Sequence, residues 1–434
     1  MKKIALLSHG CAKNLIDSEL MLGLLAQNGY EITLDENEGD IVIVNTCSFI
    51  HDAEKESVPS ILEMIDNGKK VIVAGCLAQK HGKELKEAIP EISALVGTTE
   101  FTKLVEVIKS LEKGEEYKEE ISEKPEYIYP ENIERQQITM GSSSYLKIAD
   151  GCNYRCGYCI IPFLRGDYHS RKMEDILSEA ESLVKKGVTE IILIAQDTTG
   201  YGIDLYNKPM LSELIRRLNK IEGMGWIRIM YAYPTQMTDE LLDTIAECEH
   251  VVKYVDIPLQ HSHPDMLKRM NRPAFDYRPM IENIRKRIPN VAIRTAFIVG
   301  YPGETEEEFE HLYNFVKDMR FNKMGVFEYS REKGTASYDM KPQVKKRVMH
   351  SRYKRLMELQ QGISKEINES FIGRTLPCII ENYTDDGYVV ARTQNDAPEV
   401  DGVVYIKTEE PLVPGDIEDV KIISCDEYDL IGEL

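Results

Sequence analysis

The sequence predicts an α/β protein in three unlike parts: an N-terminal doubly wound parallel α/β domain, a central open (β/α)6 partial barrel of the TIM type, and a small C-terminal antiparallel β-barrel. Three observations predict it. Over residues 1–118, short continuously apolar runs alternate with helical patterns, as expected of strands buried on both faces by covering helices. The alternation restarts near residue 138 and gives six βα units before residue 368, too few for an eight-stranded barrel. From residue 369 to 434 the helical patterns vanish. Short strands there are cut by turn sequences such as Asp385-Asp386-Gly387, Asn395-Asp396-Ala397-Pro398 and Pro414-Gly415. A length of 434 residues itself asks for more than one core.

In the first part, residues 4–7, 41–44 and 71–74 read as strands, and 15–27, 53–66 and 102–111 as helices. Nine glutamates with Pro125 and Pro130 interrupt the pattern over residues 112–134, so 119–137 is expected to be a charged linker. The central part, 138–368, has candidate strands at 144–148, 190–194, 227–231, 254–257, 292–299 and 324–328. Helices are expected at 173–186, 210–221 and 306–319, and a long one at 343–368. Lys345, Lys346, Arg347, Arg352, Lys354 and Arg355 make that last helix basic, which reads as a solvated face before a nucleic-acid site. The last part has strands at 376–381, 387–392, 402–406 and 416–423.

Hydrophobic residues at 42% and charged residues at 29% fit a folded globular chain. No apolar run approaches the roughly 18 residues that cross a bilayer. Polar Ser8, His9, Lys13 and Asn14 interrupt the opening residues before they could form a signal peptide. A cytoplasmic protein without a membrane partner is expected. The nine cysteines then read as ligands or buried thiols before disulfides. Net charge is −20, from 53 basic and 73 acidic residues. Residues 371–434 hold 15 acids against Arg374, Arg392, Lys407 and Lys421, so more than half of the excess sits in the last block. Concentrated negative charge repels phosphate and favours a basic partner.

The sharpest local signal is Cys152-Asn153-Tyr154-Arg155-Cys156-Gly157-Tyr158-Cys159, directly after the first strand of the central part. A [4Fe–4S] cluster takes four ligands, so three thiols would leave one iron open to chelate a small molecule. Zinc is the rival reading, with His169 able to complete a site, although this spacing departs from the paired knuckles of zinc ribbons. A second set is dispersed. Cys11, Cys47 and Cys76 each follow a buried parallel strand by a few residues, and in a doubly wound sheet such loops open on one edge, where ligands bind. A lone cysteine at a strand end is usually a small core residue; three on one edge read as ligands. Cys248, Cys378 and Cys425 read as ordinary buried thiols.

At these residues the chain resembles the radical S-adenosylmethionine (SAM) methylthiotransferase family. The likeness is carried by Ser8-His9-Gly10-Cys11-Ala12-Lys13-Asn14-Leu15-Ile16-Asp17-Ser18-Glu19, by the Cys152–Cys159 loop, and by Ile160-Ile161-Pro162, Arg165-Gly166 and Ser170-Arg171. His9 and Ala12 depart from the residues usual there. The C-terminal block resembles the TRAM domain, a substrate-recognition barrel. Ala195-Gln196-Asp197-Thr198-Thr199 and Asp396-Ala397-Pro398-Glu399-Val400-Asp401-Gly402 resemble the branch that methylthiolates an aspartate of small-subunit ribosomal protein twelve.

The resemblance implies a radical SAM barrel in the centre, an N-terminal methylthiotransferase domain and two [4Fe–4S] clusters. Cys152, Cys156 and Cys159 would hold the cluster that binds SAM and gives a 5′-deoxyadenosyl radical. Cys11, Cys47 and Cys76 would hold an auxiliary cluster that presents sulfur, and a further SAM would supply the methyl group. Tyr158, Gln196, Asp197, Gln260, Gly300 and Glu304 are candidate cofactor contacts. Four of them have a structural alternative: packing for Tyr158, a cap for Asp197, a plain turn for Gly300 to Glu304. His261 and Trp226 read as structural. The implied partners are a basic ribosomal protein, free or within the ribosome, and an external electron donor. The alternatives are a tRNA methylthiotransferase, for which the acidic last block is unsuited, and a non-catalytic metal-binding module associated with ribosomes.

Overall fold

The computed structural model describes residues 2–48, 51–127, 129–130, 133–138 and 141–434, without the side chains of residues 51–53. Met1 and three positions of the expected linker, Ile128, Glu131 and Asn132, lie outside the described residues.

The N-terminal sheet has six parallel strands in the spatial order Glu31–Thr33, Lys3–Ser8, Ile41–Thr46, Lys70–Gly75, Ala94–Val96 and Lys118–Glu120. Ile41, Val42, Ile43 and Val44 have no exposed surface, because helices cover both faces of the sheet. The strand order reverses between Lys3–Ser8 and Ile41–Thr46, so the crevice for a ligand opens beyond their C-terminal ends. Three strands escaped the sequence pattern. Glu31–Thr33, Ala94–Val96 and Lys118–Glu120 are only three residues each, too short to show a period. The first two residues of the expected charged linker, Glu119 and Glu120, belong to the strand Lys118–Glu120 that completes the sheet, and Tyr127, 4% exposed, is buried between the domains. Glu119, Glu123, Glu126 and Glu134 are exposed, while Tyr127 packs against Phe101.

The central strands run Ser143–Lys147, Glu190–Ile194, Trp226–Ile229, Tyr254–Asp256, Ala292–Val299 and Lys323–Glu328, in parallel and in chain order. They form two hydrogen-bonded triples. The seam is bridged by Val252 N–H to Ile227 O (3.1 Å) and Ala232 N–H to Asp256 O (2.8 Å), so the arc continues as an open six-stranded partial barrel. Helices Met173–Lys185, Leu211–Leu218, Asp239–Glu247, Arg278–Arg287 and Glu306–Met319 cover its outside, and the long helix Lys346–Glu369 packs by the last strand. Among the described residues no helix is long and apolar enough to cross a membrane.

Five strands, Thr375–Tyr383, Val389–Thr393, Val404–Ile406, Ile417–Cys425 and Leu430–Glu433, close the C-terminal barrel. The barrel is not wholly antiparallel: Val404–Ile406 pairs in parallel with Leu430–Glu433, a last strand absent from the sequence reading. Cys378 fills its core, Cys248 packs in the central core, and Cys425 lies against the C-terminal one.

One apolar cluster joins all three parts. Ile192, Ile194, Met230 and Trp226 from the inside of the partial barrel meet Ile16 and Leu20 of the first domain and Ile379 and Ala397 of the last. The C-terminal barrel is clamped at the N-terminal ends of the central strands. There Glu190 pairs with Arg228 (2.7 Å) and Arg392, Lys323 pairs with Asp396 (2.6 Å), and Tyr254 donates to Asp401 (2.6 Å). The opposite end of the barrel is left for the Cys152–Cys159 loop.

Candidate functional site

The Cys152–Cys159 loop is fixed by its backbone. Cys152 N–H donates to Gly166 O (3.1 Å), Gly157 N–H to Met270 O (2.8 Å) and Cys159 N–H to Cys156 O (2.9 Å). Asn271 Nδ2 donates to the carbonyls of Tyr154 and Arg155 (3.0 Å each), which holds Arg155 in a left-handed turn at φ 50°. At Gly157 a Cβ would stand 2.4 Å from Tyr301 Oη, so only glycine lets the loop lie this close to the barrel. The three thiols fall within electrostatic reach of one another. Burial pushes Cys152 up to about 11 and Cys159 up to about 12, so bound cations are what would hold them as thiolates.

The second set gathers at the switch point of the N-terminal sheet. Cys11 lies just beyond Lys3–Ser8 and precedes helix Ala12–Gln27; Cys47 directly follows Ile41–Thr46; Cys76 opens helix Cys76–Ala88. Cys47 and Cys76 are buried and Cys11 is exposed. Gly10, at φ +96°, presses on Cys47: a Cβ there would stand 2.5 Å from Cys47 Cβ and 2.9 Å from its Sγ. Burial, with Cys47 and Cys11 adding to it, pushes Cys76 up to about 12. Both sets offer three thiols on loops cradled by glycine, a donor set that suits iron–sulfur clusters. Among the described residues no three His, Cys, Asp or Glu side chains form a ready-made nest for a single metal ion.

The sets lie back to back. Cys76 packs in one buried cluster with Ile160, the residue after Cys159, and with Leu164. Helix Ile161–Arg165 then carries Arg165 into the first domain. Its guanidinium donates to Asn14 Oδ1 (2.7 Å), Asp17 Oδ2 (2.9 Å) and Asp150 Oδ2 (2.9 Å). Lys147 donates to the same two carboxylates. Burial opposes the charge on Asp150, but Arg165 and Lys147 hold its carboxyl well below the usual range. Asn14 also donates to His9 O (3.1 Å) and Thr46 O (2.9 Å), tying the loops that carry Cys11 and Cys47 to the network.

A cavity of about 640 Å³ opens beside Cys156 and Cys159, lined also by Lys124, Arg155, Phe163 and Asp167. That volume suits a nucleoside-sized ligand. Its lining includes none of the six candidate cofactor contacts among the described residues. Tyr158 packs with Met266, Met270 and Tyr301. Gln196 donates to Asp150 Oδ1 (2.6 Å) and keeps a buried Oε1 without a partner among the described residues. Asp197 is occupied by the Tyr154 hydroxyl (2.9 Å), the Thr199 hydroxyl (2.5 Å) and Thr199 N–H (2.9 Å). Gln260, at φ 71°, bridges to the strand Ala292–Val299 through its backbone. The space where Gly300 would carry a Cβ holds Met349, 2.0 Å away, so this glycine admits the long helix. Glu304 is buried and accepts from Arg352 (2.7 Å), Gly300 N–H (2.5 Å) and His261 (3.2 Å).

Two charged groups at the site were not foreseen. Arg272, buried beside the first set, lies over Tyr233 (4.5 Å) and within electrostatic reach of Cys156. Lys13, buried beside Cys11, is lowered to about 8 by burial and so is still charged at neutral pH. For the Asp17–Lys147–Asp150–Arg165 network a signal existed: Lys147 and Asp150 interrupt an otherwise apolar strand run.

Comparison with known proteins agrees with this architecture. The radical SAM superfamily matches residues 146–316, the uncharacterized protein family UPF0004 matches 3–97, and the TRAM domain matches 372–434. Ribosomal protein uS12 methylthiotransferase RimO of Thermoanaerobacter sp. is 51% identical over 440 residues, covering 100% of both chains. Its counterpart from Microcystis aeruginosa is 48% identical, covering 99% of this chain and 98% of the relative. Among solved structures, the radical SAM methyltransferase TsrM from Kitasatospora setae aligns with a TM-score of 0.58 over 78% of this chain and 77% of its own. At 14% identity that likeness shows the fold alone. Full-length relatives that share about half of their residues with it, and a radical SAM match on the partial barrel, show that this chain belongs to the RimO family of radical SAM methylthiotransferases.

Proposed function

We propose that this chain adds a methylthio group to the β-carbon of an aspartate in ribosomal protein uS12, using SAM and two [4Fe–4S] clusters. The observation that carries the reading is the packing of Cys76 with Ile160 and Leu164, which sets the second cysteine set against the segment that leaves the first. Cys152, Cys156 and Cys159 would hold one cluster, and Cys11, Cys47 and Cys76 the other. When bound, these groups and SAM supply radical hydrogen abstraction, a sulfur atom and a methyl group. The chain's own work is to fix the two thiol sets relative to each other through Arg165, Asp17, Asp150 and Lys147. The cavity beside Cys156 and Cys159 is the candidate SAM entrance. Tyr158, Gln196, Asp197, Gln260, Gly300 and Glu304 would support the cofactor pocket from behind rather than line this cavity. Reduced thiols and an external one-electron donor fit work in the cytoplasm.

The acidic C-terminal barrel supports a basic protein partner. Asp396 and Asp401 are spent internally on Lys323 and Arg294, yet Arg392 is internal as well. Asp385, Asp386, Glu409, Glu410, Asp416 and Asp419 remain exposed. The basic helix is poor support for tRNA, since Arg352 and Arg355 are engaged by Glu304, Glu306 and Glu310. Mass spectrometry of uS12 from cells with and without the gene tests the proposal. The methylthio group should vanish without the gene; its persistence would refute the substrate, and loss of methylthio-adenosine from tRNA instead would favour the tRNA reading. Zinc in place of iron and sulfide, without SAM cleavage, would favour the non-catalytic module.

A further inference from the structure

Lys13 is a charge that takes no part in the Asp17–Lys147–Asp150–Arg165 network. It lies on the first turn of helix Ala12–Gln27, two residues after Cys11, and only 8% of it is exposed. Its ammonium reaches from the first domain to the barrel and stands 3.1 Å from the centroid of the Tyr231 ring. Tyr231 lies just beyond strand Trp226–Ile229, at the open end of the barrel, in a left-handed conformation (φ 63°) with its N–H bonded to Asp256 Oδ2 (2.9 Å).

Among the described residues the Lys13 ammonium makes no hydrogen bond and no ion pair. The surrounding carboxylates are already occupied. Asp256 accepts from Tyr231 N–H and from Arg294 (3.0 Å). Asp150 accepts from Lys147, Arg165, Gln196 and Gly151 N–H, and Asp17 from Lys147 and Arg165. The ammonium lies within electrostatic reach of Cys11, Asp150 and Asp256, yet the group it contacts is a ring face rather than a hydrogen-bond acceptor. Its donors are therefore uncommitted to any carboxylate among the described residues, beside Cys11 and at the open end of the barrel.

We propose that Lys13 receives the side-chain carboxylate of the target aspartate, so that it selects aspartate over asparagine and holds the substrate at the Cys11 end of the second cysteine set. The inference rests on the proposed uS12 substrate. Aspartate differs from asparagine only in the charge of the group that a lysine ammonium reads, so a charged partner is the simplest device for telling them apart. SAM also carries a carboxylate, and the test separates the two sources.

Lys13→Met, Lys13→Arg and the unmodified protein, each loaded with iron and sulfide, are assayed on uS12 carrying aspartate or asparagine at the position that mass spectrometry identifies. The unmodified protein should prefer aspartate in kcat/KM. Lys13→Met should shrink that preference by about 10- to 100-fold, the loss expected for one charge-assisted hydrogen bond, and Lys13→Arg should keep most of it. Iron content and KM for SAM should stay within about twofold in both variants. An unchanged preference in Lys13→Met overturns the inference alone. A raised KM for SAM assigns the carboxylate to SAM and overturns it, and lost iron assigns Lys13 a structural role and does the same. An unmodified protein inactive on both substrates overturns the uS12 reading and, with it, this inference.

Discussion

Glycines at positions 10 and 75 keep the second cysteine set close to the sheet edge. Gly10 sits at φ +96° with its missing side chain aimed at Cys47, and Gly75 at φ +88° with Asn45 Oδ1 only 2.3 Å from where a Cβ would stand. An alanine at position 10 would be strained in its backbone and would displace Cys47. Gly10→Ala is therefore expected to fold yet bind roughly half the iron of the unmodified protein, as elemental analysis would read. The cysteines themselves should separate the two chemistries. Cys156→Ala is expected to abolish SAM cleavage, whereas Cys47→Ala should still release 5′-deoxyadenosine and fail to insert sulfur. Full-rate sulfur insertion by Cys47→Ala would remove the second cluster from the account. The cysteines could be chosen from sequence because each follows a legible strand. The state of the six cofactor candidates could not, since hydrogen bonding to Asp197 or the arrival of Met349 at Gly300 depends on residues far away in the chain.

Among the elements, the five-residue helix Ile161–Arg165 does more than its length suggests. It leaves the first cysteine loop, covers Cys76 with Ile160 and Leu164, and sends Arg165 into the other domain. Arg165→Met would leave Asp17 and Asp150 sharing Lys147 alone in a buried site. Breaking one partner out of such a pair costs about 3–5 kcal/mol, which urea unfolding should show as a lowered midpoint. Long strands and helices with clear periods were legible: Glu190–Ile194, Ala292–Val299 and Glu306–Met319 appear as the pattern predicts. A helix with a capping box, Thr305 and Glu308, announces its own start. Three-residue strands such as Lys118–Glu120 do not. Their pairing is decided by the neighbouring strand's free edge, and their own composition, Lys-Glu-Glu, argues against a strand.

For the whole molecule, charge sets both internal docking and external attraction. Burial opposes ionisation of Glu190, but Arg228 and Arg392 hold it down at about 2, against an ordinary 4.5. A depressed carboxyl contributes stability that is complete above pH 4.5 and lost as pH falls toward 2. Glu190→Gln should thus be less stable than the unmodified chain at neutral pH, with a difference that narrows steadily below pH 4.5 in denaturant titrations. Outside, the exposed acids of the C-terminal barrel should speed association with a basic protein. Replacing Glu409, Glu410, Asp416 and Asp419 with lysine is expected to slow uS12 binding by about tenfold or more at low salt, with little effect near 1 M salt. Stopped-flow association rates at two ionic strengths would decide it. An equal effect at both would mean that shape rather than charge makes the contact.

Local order and composition were enough to establish three parts, their α/β or β character, the two sets of three thiols and the acidity of the last block. Each of these depends on residues close together in the chain, on periodicity set by backbone geometry, or on simple counts. Only the tertiary structure decided that Lys118–Glu120 forms the sheet edge and Tyr127 is buried, that the last barrel closes with a parallel pair, and that Arg165 locks two domains together. Burial turns a sequence charge into either a structural bond or an unmet demand for one. Arg165 and Lys13 carry the same sign in the sequence; in the fold, the first donates to two carboxylates and the second, among the described residues, rests on a ring.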